Sequence, residues 1–268
     1  ELYSLYLKDL NFLFDGKVKI DYFNEKIDYY GNFYYENLQS NINVEMTKKI
    51  AKFYLVSEPF KSLKFLKNFL HLPNIAESWM YDNVKGDIKI EELYAEYDLI
   101  NNHIIENSIQ GKAQIKDAKI RFHKDVDAVN TKSLDIFFKD NRLHFNLMEP
   151  MFKDKKLDGS FVLINNLTSE KNGQVDVFLK TNSKLDKDIL DILKAYNITL
   201  PIIQKNGNTQ ASLLMKFPYD TTKNMSTYGE FFLNDAKVAI NNFEFESKNA
   251  EVILDDSLIK IKNSDFKY

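Results

Sequence analysis

The sequence predicts a mainly β protein: a long, curved antiparallel sheet, shaped as a groove or a taco, with repeated hairpins and a few short amphipathic helices. Three observations lead to this fold class. Apolar and polar residues alternate with a period of two over most of the chain, short polar turns separate the alternating stretches, and long helical crossovers are mostly missing. In residues 174–180, for example, Val175, Val177 and Leu179 share one face of a strand.

The turns favour antiparallel hairpins. Residues 134–138 and residues 143–147 both alternate, and the polar turn around Asp140 separates them. A similar turn at Asp256 follows the apolar pair Val252 and Leu254. Consecutive strands are therefore expected to be neighbours in the sheet.

An internal repeat strengthens this interpretation. Residues 111–122 resemble residues 229–240 in the position of a glycine, in the alternation and in a shared Asp-Ala-Lys. A matched hairpin follows each copy, at residues 133–145 and 249–261. In both copies the alternation of apolar and polar residues shifts by one position at Asp-Ala. Such a shift predicts a bulge or tight turn that bends the sheet. Chance similarity between β-rich segments is the alternative.

Three stretches are predicted to be helical. The first has an apolar stripe opposite three lysines, begins after Pro59 and ends at Leu72-Pro73. The second is short, with Asn74 as its cap, and carries Trp79. The third covers residues 185–196, with Asp186 near its start. These helices are expected to cap or cover the sheet edges.

The segments divide the chain into three parts of one continuous, elongated domain. Residues 1–58 form an aromatic-rich β segment, residues 59–184 a helix pair with the first repeat unit, and residues 185–268 a helix with the second unit. Aromatic residues near Gly31 fall on both strand faces, which favours tyrosines that pair across neighbouring strands over a strand buried on both sides.

Composition narrows the possible partners. The chain has 268 residues, 44% of them hydrophobic, a net charge of -3 and no cysteine. This charge makes nucleic acid an unexpected partner, and disulfides and zinc-thiolate sites are excluded. No run reaches the roughly 20 apolar residues that span a bilayer. Because the chain starts without Met and stops inside an alternating pattern, we expect a piece of a longer protein whose anchor lies elsewhere.

No catalytic signature stands out. The four histidines, His71, His103, His123 and His144, lie outside any zinc-binding helix motif. Asp125 and Asp127 flank Val126 without the further oxygen donors of a calcium loop, so a solvated turn is the better interpretation. Nucleophile elbows and phosphate-binding or dinucleotide-binding glycine loops are absent. The sequence therefore predicts no enzyme activity, no cofactor and no metal site.

The shared apolar face is the distinctive feature. Three helices are too few to cover a dozen or so strands, so the sheet either folds over a filled core or curves into a gutter that holds something apolar. Aliphatic and aromatic lining without convergent polar groups suits acyl chains better than polar metabolites.

From about Leu63 onward, this order of features resembles the AsmA-like proteins of Gram-negative envelopes, in particular their YhdP branch. The resemblance covers roughly three quarters of the chain. The resemblance lies in the helix that ends at Leu72-Pro73, the short Trp79 helix, the Gly86 strand, the two repeats and the helix of residues 185–196. It is one of pattern and spacing rather than of invariant catalytic residues. Residues 1–58 match less clearly.

The resemblance implies a periplasmic protein, anchored in the inner membrane by a segment outside this chain, whose β groove carries phospholipid or other acyl-chain lipid to the outer membrane and supports its lipid homeostasis. Membrane contact would come from parts outside the chain, and envelope proteins are possible partners. A structural or adhesive β-sandwich and a TamB-like assembly factor for outer-membrane proteins are the alternatives. From the alternation, the groove-lining residues are expected to be Ile115, Ile120, Phe122, Ile136, Phe138, Phe145, Val175, Val177, Leu179, Leu233, Val238, Ile240, Val252 and Leu254.

Overall fold

The computed structural model describes residues 2–8, 11–68, 72–169, 171–200, 202–240 and 243–267. Seventeen strands and two short α-helices lie within these residues, which confirms the predicted mainly β class with one long, open antiparallel sheet. The strands are β1 (Leu2–Leu7), β2 (Phe12–Asp21), β3 (Lys26–Tyr35), β4 (Leu38–Met46), β5 (Ile50–Ser57), β6 (Val84–Asp98), β7 (His103–Ile120), β8 (Val129–Lys139), β9 (Arg142–Met148), β10 (Met151–Phe152), β11 (Lys155–Lys156), β12 (Phe161–Asn165), β13 (Gln174–Ser183), β14 (Ile202–Pro218), β15 (Ser226–Ile240), β16 (Phe243–Asp255) and β17 (Leu258–Lys262). The helices are α1 (Asn74–Tyr81) and α2 (Lys187–Ala195).

The sheet is a meander in which nearly every strand pairs with the next one along the chain. The pairing runs from β1 to β9, passes from β9 to β12, and continues to β17, always antiparallel. The short β10 and β11 form a side hairpin, in which β10 pairs with β8. Between β8 and β9, Asp140 and Asn141 have φ values of 51° and 57°. Two such residues form the tight hairpin turn that matches the twist of the strands.

The predicted bulges are present at both Asp-Ala positions. Asp117 and Asp235 adopt left-handed conformations with φ values of 48° and 44°, and the register of each strand shifts against the preceding strand nearby. The following alanines, Ala118 and Ala236, are buried. The extra residue returns the apolar side chains to the same face, as the shift in parity predicted.

Each bulge lies opposite a glycine on the preceding strand. Gly86 lies on β6 and Gly207 on β14, and both have positive φ. A Cβ atom on Gly207 would lie 2.4 Å from the carbonyl oxygen of Asp235 and 2.7 Å from the Cα of Ala236. The bulge and the glycine therefore form one unit, because the backbone approaches too closely for any side chain.

This unit belongs to a larger structural repeat. In the first copy, α1 is followed by β6, β7, β8 and β9; in the second, α2 is followed by β14, β15, β16 and β17. A small buried hydroxyl residue faces each bulge alanine from the next strand: Thr131 is opposite Ala118, and Ser247 is opposite Ala236. The repeat is therefore one of chain path and local chemistry as well as of sequence pattern.

The predicted helices are only partly correct. Phe60 forms a bridge with Ile88 instead of starting a helix, and a 3-10 helix covers Lys64–Asn68. Residues 69–71, with the end of the predicted helix and His71, lie outside the described residues. Asn74 is the first residue of α1 and makes no side-chain cap, so the predicted capping role is wrong. Asp186 does cap α2, because its carboxylate accepts hydrogen bonds from the backbone N–H groups of Asp188 and Ile189.

The crowding at Gly207 leads to a stability prediction. Gly207→Ala should reduce the free energy of unfolding by about 2 kcal/mol more than Gly159→Ala, since overpacking adds to the cost of the left-handed backbone. Gly159 is a matched control because its φ is +84°, against +82° for Gly207, while an added Cβ would meet only the flexible end of Lys180 at 3.4 Å. Urea denaturation measures both variants. Equal losses would contradict the close approach at the bulge.

Candidate functional site

The apolar face of the sheet is continuous across its middle strands. Ile136 on β8 lies opposite Phe145 on β9, Phe145 opposite Val162 on β12, and Val162 opposite Val177 on β13. Met215 on β14 completes the row. Directly opposed residues in an antiparallel sheet project to the same side. We call this side the inner face and the opposite side the outer face.

The residues predicted to line a groove occupy this inner face. They are Ile115, Ile120, Ile136, Phe138, Phe145, Val175, Val177, Leu179, Leu233, Val238, Val252 and Leu254, of which Phe138 and Leu179 are half-buried and the rest buried. Phe122 follows the end of β7 and packs against the same core. Ile240 ends β15, and its side chain lies outside the described set.

Helix α1 covers the inner face of the first repeat. Its Trp79 is buried, and the ring centroid lies 5.5 Å from that of Phe122 and 6.4 Å from that of Phe145. The helices were expected at the edges of the sheet, but α1 lies on the apolar face instead. An aromatic helix residue on an aromatic sheet surface removes much apolar area from water and adds edge contacts between rings.

Helix α2 covers the second repeat in the same way. Ile189, Ile192 and Leu193 face Leu213 and Phe231, and the space left between them is only about 40 Å³. Binding sites for drug-sized ligands usually measure several hundred cubic ångströms. The inner face beneath α2 is therefore a packed core in this structure.

The end of α2 also joins the two repeats. The buried Tyr196 donates a hydrogen bond of 2.7 Å to the carbonyl oxygen of Phe122. Its ring lies 5.1 Å from His123 and 5.7 Å from Phe217. Burial raises the pKa of the Tyr196 phenol above its usual range, so this group stays a neutral donor at physiological pH.

A buried lysine fastens the start of α2 to the sheet. Lys155 on β11 is 5% exposed, and its Nζ lies 2.8 Å from Asp154, 2.9 Å from Asp186 and 3.6 Å from Asp188. Burial alone would lower the pKa of Lys155, but the hydrogen bonds and charges of the carboxylates outweigh it and raise the pKa. Alternation gave no signal of this cluster, because its members come from a short side hairpin and a helix start.

Part of the inner face is left uncovered by the helices. Ile20, Ile27, Met46, Ala51, Tyr97 and Ile104 oppose one another in sequence across β2 to β7, and we call this row the open strip. Ile20, Ile27 and Ile104 are 50%, 39% and 43% exposed, whereas Ala51 in the middle of the row is 1% exposed. Val18, beside Ile20, is 42% exposed. The open strip lies mainly in residues 1–58, from which the alternation pattern selected no lining residue.

The aromatic residues of this segment mostly contact one another on the inner face. Phe12 lies 5.1 Å from both Phe33 and Tyr35, and Phe14 lies 5.8 Å from Tyr29, all centroid to centroid. These are contacts between neighbouring strands, which fits the expectation of cross-strand pairing. These contacts stabilise the part of the inner face that lies beside the open strip.

Titratable side chains do not gather into a metal site within the described ranges, where no group of three or more His, Asp or Glu residues converges. Asp125 lies 3.7 Å from His123, while Asp127 lies 3.6 Å from Lys153. His144 is half-buried on the outer face beside Phe161, and burial lowers its pKa. None of the helices in the described part of the chain is both long and apolar enough to cross a membrane.

The fold and the open strip define a class of protein: a single open meander sheet with one apolar face that its own helices cover only in part. Comparison with known families gives a match to the model described as YhdP protein over residues 71–268, about three quarters of the chain. The chain therefore belongs to the YhdP family. No curated protein and no solved structure matches it.

The contacts of Lys155 with the surrounding carboxylates lead to a stability prediction for the attachment of α2 to the sheet. Lys155→Met should lower the free energy of unfolding by about 2 kcal/mol, because it removes hydrogen bonds between a buried ammonium group and carboxylates. Hydrogen bonds from Lys155 and Lys153 hold the pKa values of Asp154 and Asp188 below their usual range, so their stabilising effect is present at neutral pH and lost as the pH falls below about 4. The difference between the wild type and the variant should shrink in that range.

Urea denaturation at pH 7 and pH 3 tests this prediction. Lys187→Met is the control, since Lys187 is on the same helix but its side chain is 88% exposed and, among the described residues, pairs only with Asp191, at 3.2 Å. A surface pair of this kind contributes little. A loss in Lys155→Met no larger than in Lys187→Met would show that the cluster does not fasten α2.

Proposed function

We propose that this chain is a periplasmic segment of an inner-membrane-anchored protein that carries phospholipid acyl chains along the inner face of its sheet. Transfer would run between the inner and outer membranes and support lipid homeostasis of the outer membrane. The observation that carries the proposal is the open strip, a row on the inner face in which Ile20, Ile27 and Ile104 remain exposed. No bond is made or broken in this function.

The dimensions of the open strip suit an acyl chain. The six residues span five steps between neighbouring strands, about 24 Å at the usual strand spacing. One leaflet of a bilayer has a hydrocarbon depth of about 15 Å. The row is therefore long enough for a fatty acyl chain laid across the strands, with the exposed Ile20 and Ile27 at one end and Ile104 at the other.

The energetics also suit transfer rather than tight capture. Each methylene removed from water contributes about 0.8 kcal/mol. The side chains of Ile20, Ile27 and Ile104 offer contact from one side only, because they remain partly exposed. A chain bound there keeps part of its surface in water, and this limits affinity and permits movement along the row.

Family membership supports the same function. A YhdP domain fits a bridge-like lipid-transfer protein in general, and the family is associated with the cell envelope. The periplasmic location and the inner-membrane anchor belong to the proposal. Phospholipid is its expected ligand, with membranes at the two ends of the route as partners.

Because the inner face beneath α1 and α2 is a packed core, lipid binding is best tested at exposed residues of the open strip. Ile136 is 7% exposed within this core, so Ile136→Asp should unfold the protein whether or not lipid binds. Ile20 and Ile27 are already in contact with water, and polar replacements there should leave the fold intact. Loss of lipid from such a variant can thus be attributed to the open strip.

The test is the phospholipid that copurifies with the protein, extracted and quantified by mass spectrometry. The wild type should carry phospholipid, and the double variant Ile20→Asp with Ile27→Asp should lose most of it, because a charged carboxylate on the strip disfavours a hydrocarbon neighbour. Circular dichroism should show the same strand content in both proteins.

Ile203→Asp is the matched control. The exposed fraction of Ile203, 56%, is similar to the 50% of Ile20. Ile203 nevertheless lies on the outer face, because its neighbour Gln204 is buried on the inner face. Its variant should retain the lipid. A lipid-free wild type, or equal loss in the double variant and the control, would refute acyl-chain transport along the strip and favour a sandwich-like structural protein.

A further inference from the structure

The outer face carries a second surface that the lipid function does not use. Across β3 to β7, the residues Tyr30, Asn43, Tyr54, Tyr94 and Gln110 oppose one another in one row. They line a groove of about 940 Å³ together with Asn41, Val56, Glu92 and Phe137 from the adjoining rows. This groove lies on the side of the sheet opposite the open strip, because its row alternates with the inner-face residues along every strand.

The row differs from the neighbouring row of the outer face in its lack of charge. Two residues further along the same strands, Asp28, Glu45, Lys52 and Glu96 oppose one another. Ion pairs connect that neighbouring row: Lys26 lies 2.9 Å from Asp28, and Lys52 lies 3.9 Å from Glu96. A solvated sheet surface typically looks like this charged row. The aromatic and amide row therefore needs another explanation.

The aromatic side chains are accessible. Tyr30 is 65% exposed, Tyr54 is 44% exposed and Phe137 is 37% exposed. The rings of Tyr54 and Tyr94 lie 4.8 Å apart, centroid to centroid, at an angle of 46°. This pair presents a broad aromatic platform at the centre of the groove, with a polar hydroxyl on each ring.

The amides are available as well. Within the residues that the structure describes, the side chains of Asn41, Asn43 and Gln110 make no hydrogen bond to another protein group. Each amide offers two donors and one acceptor. Glu92 adds an acceptor, while the neighbouring Lys112 pairs with Glu91 at 2.6 Å instead. The groove thus combines donors, acceptors and aromatic faces, with little net charge.

We propose that this groove binds a neutral oligosaccharide chain. A sugar ring has an apolar face that stacks on an aromatic ring, and its hydroxyls both donate and accept hydrogen bonds, as the amides and Glu92 require. The strand spacing of about 4.8 Å, close to the length of one β-linked sugar unit, sets the distance between successive side chains of the row. From β3 to β7 the groove is therefore about four sugar units long.

Two other ligand classes fit less well. Nucleic acid also stacks on aromatic rings, but its phosphates require a basic groove, and here the one basic residue among the described lining residues, Lys139, is balanced by the acidic Glu92. A proline-rich peptide also docks on exposed tyrosines, but each proline lacks an N–H group, so the peptide offers the Glu92 carboxylate fewer donors than a sugar does. Sugar hydroxyls can donate hydrogen bonds to the Glu92 carboxylate and can both donate to and accept from the side-chain amides.

Isothermal titration calorimetry with hexamers of β-linked glucose and of N-acetylglucosamine tests the proposal on the intact chain. The wild type should bind at least one hexamer at micromolar to millimolar concentration. Tyr54→Ala should weaken that binding about tenfold, the loss expected when one stacked aromatic ring is removed. The thermal unfolding midpoint should change little, since the side chain is already 44% exposed.

Tyr228→Ala is the matched control. Tyr228 is an outer-face tyrosine on β15, 45% exposed, and is not among the residues that line the groove. Its variant should bind the hexamer as the wild type does. The proposal is overturned if neither hexamer binds, if Tyr54→Ala and Tyr228→Ala have equal effects, or if a proline-rich peptide binds in place of the sugars.

This experiment is independent of the lipid test. Tyr54→Ala alters the outer face and should leave the copurified phospholipid unchanged, whereas Ile20→Asp with Ile27→Asp alters the inner face and should leave sugar binding unchanged. Failure of one function can therefore be told apart from failure of the other.

Discussion

One constraint governs this molecule: an open antiparallel sheet exposes a whole apolar face, and that face must be covered without closing the sheet. The inner face runs without a break from Ile136 on β8 to Met215 on β14. Helices α1 and α2 each bury the part of this face that belongs to their own repeat. The bulges at Asp117 and Asp235 keep the long strands apolar on the same side, so that one helix per repeat is enough.

Much of this arrangement could be predicted from the sequence, because it depends on local patterns. Alternation assigns each side chain to a face, and Val175, Val177 and Leu179 do lie on one face. The shift in parity at Asp-Ala predicted the bulges, and the cap at Asp186 fits the predicted helix start. The partner glycines, Gly86 and Gly207, were detectable too, since each lies on the strand that precedes a bulge.

The remaining features depend on contacts between distant segments. Trp79 meets Phe122 and Phe145, and Tyr196 meets Phe122, at separations that no local period encodes. The stripe around Leu66 has helical spacing, yet the bridge between Phe60 and Ile88 holds its start in an extended conformation. For the same reason, the sequence could identify an apolar face but not which part of it the helices would cover. The open strip became visible only with the positions of the helices.

The division of the inner face between helices and open strip has a consequence for a lipid carrier. A carrier must remain folded when its ligand has left, so the surface that exchanges lipid cannot also be the core that secures the fold. Here the buried residues beneath α2, with the Lys155 cluster at the start of that helix, stabilise the sheet without any ligand. In the proposed function, the open strip would then lose or gain an acyl chain at a cost limited to its own exposed side chains.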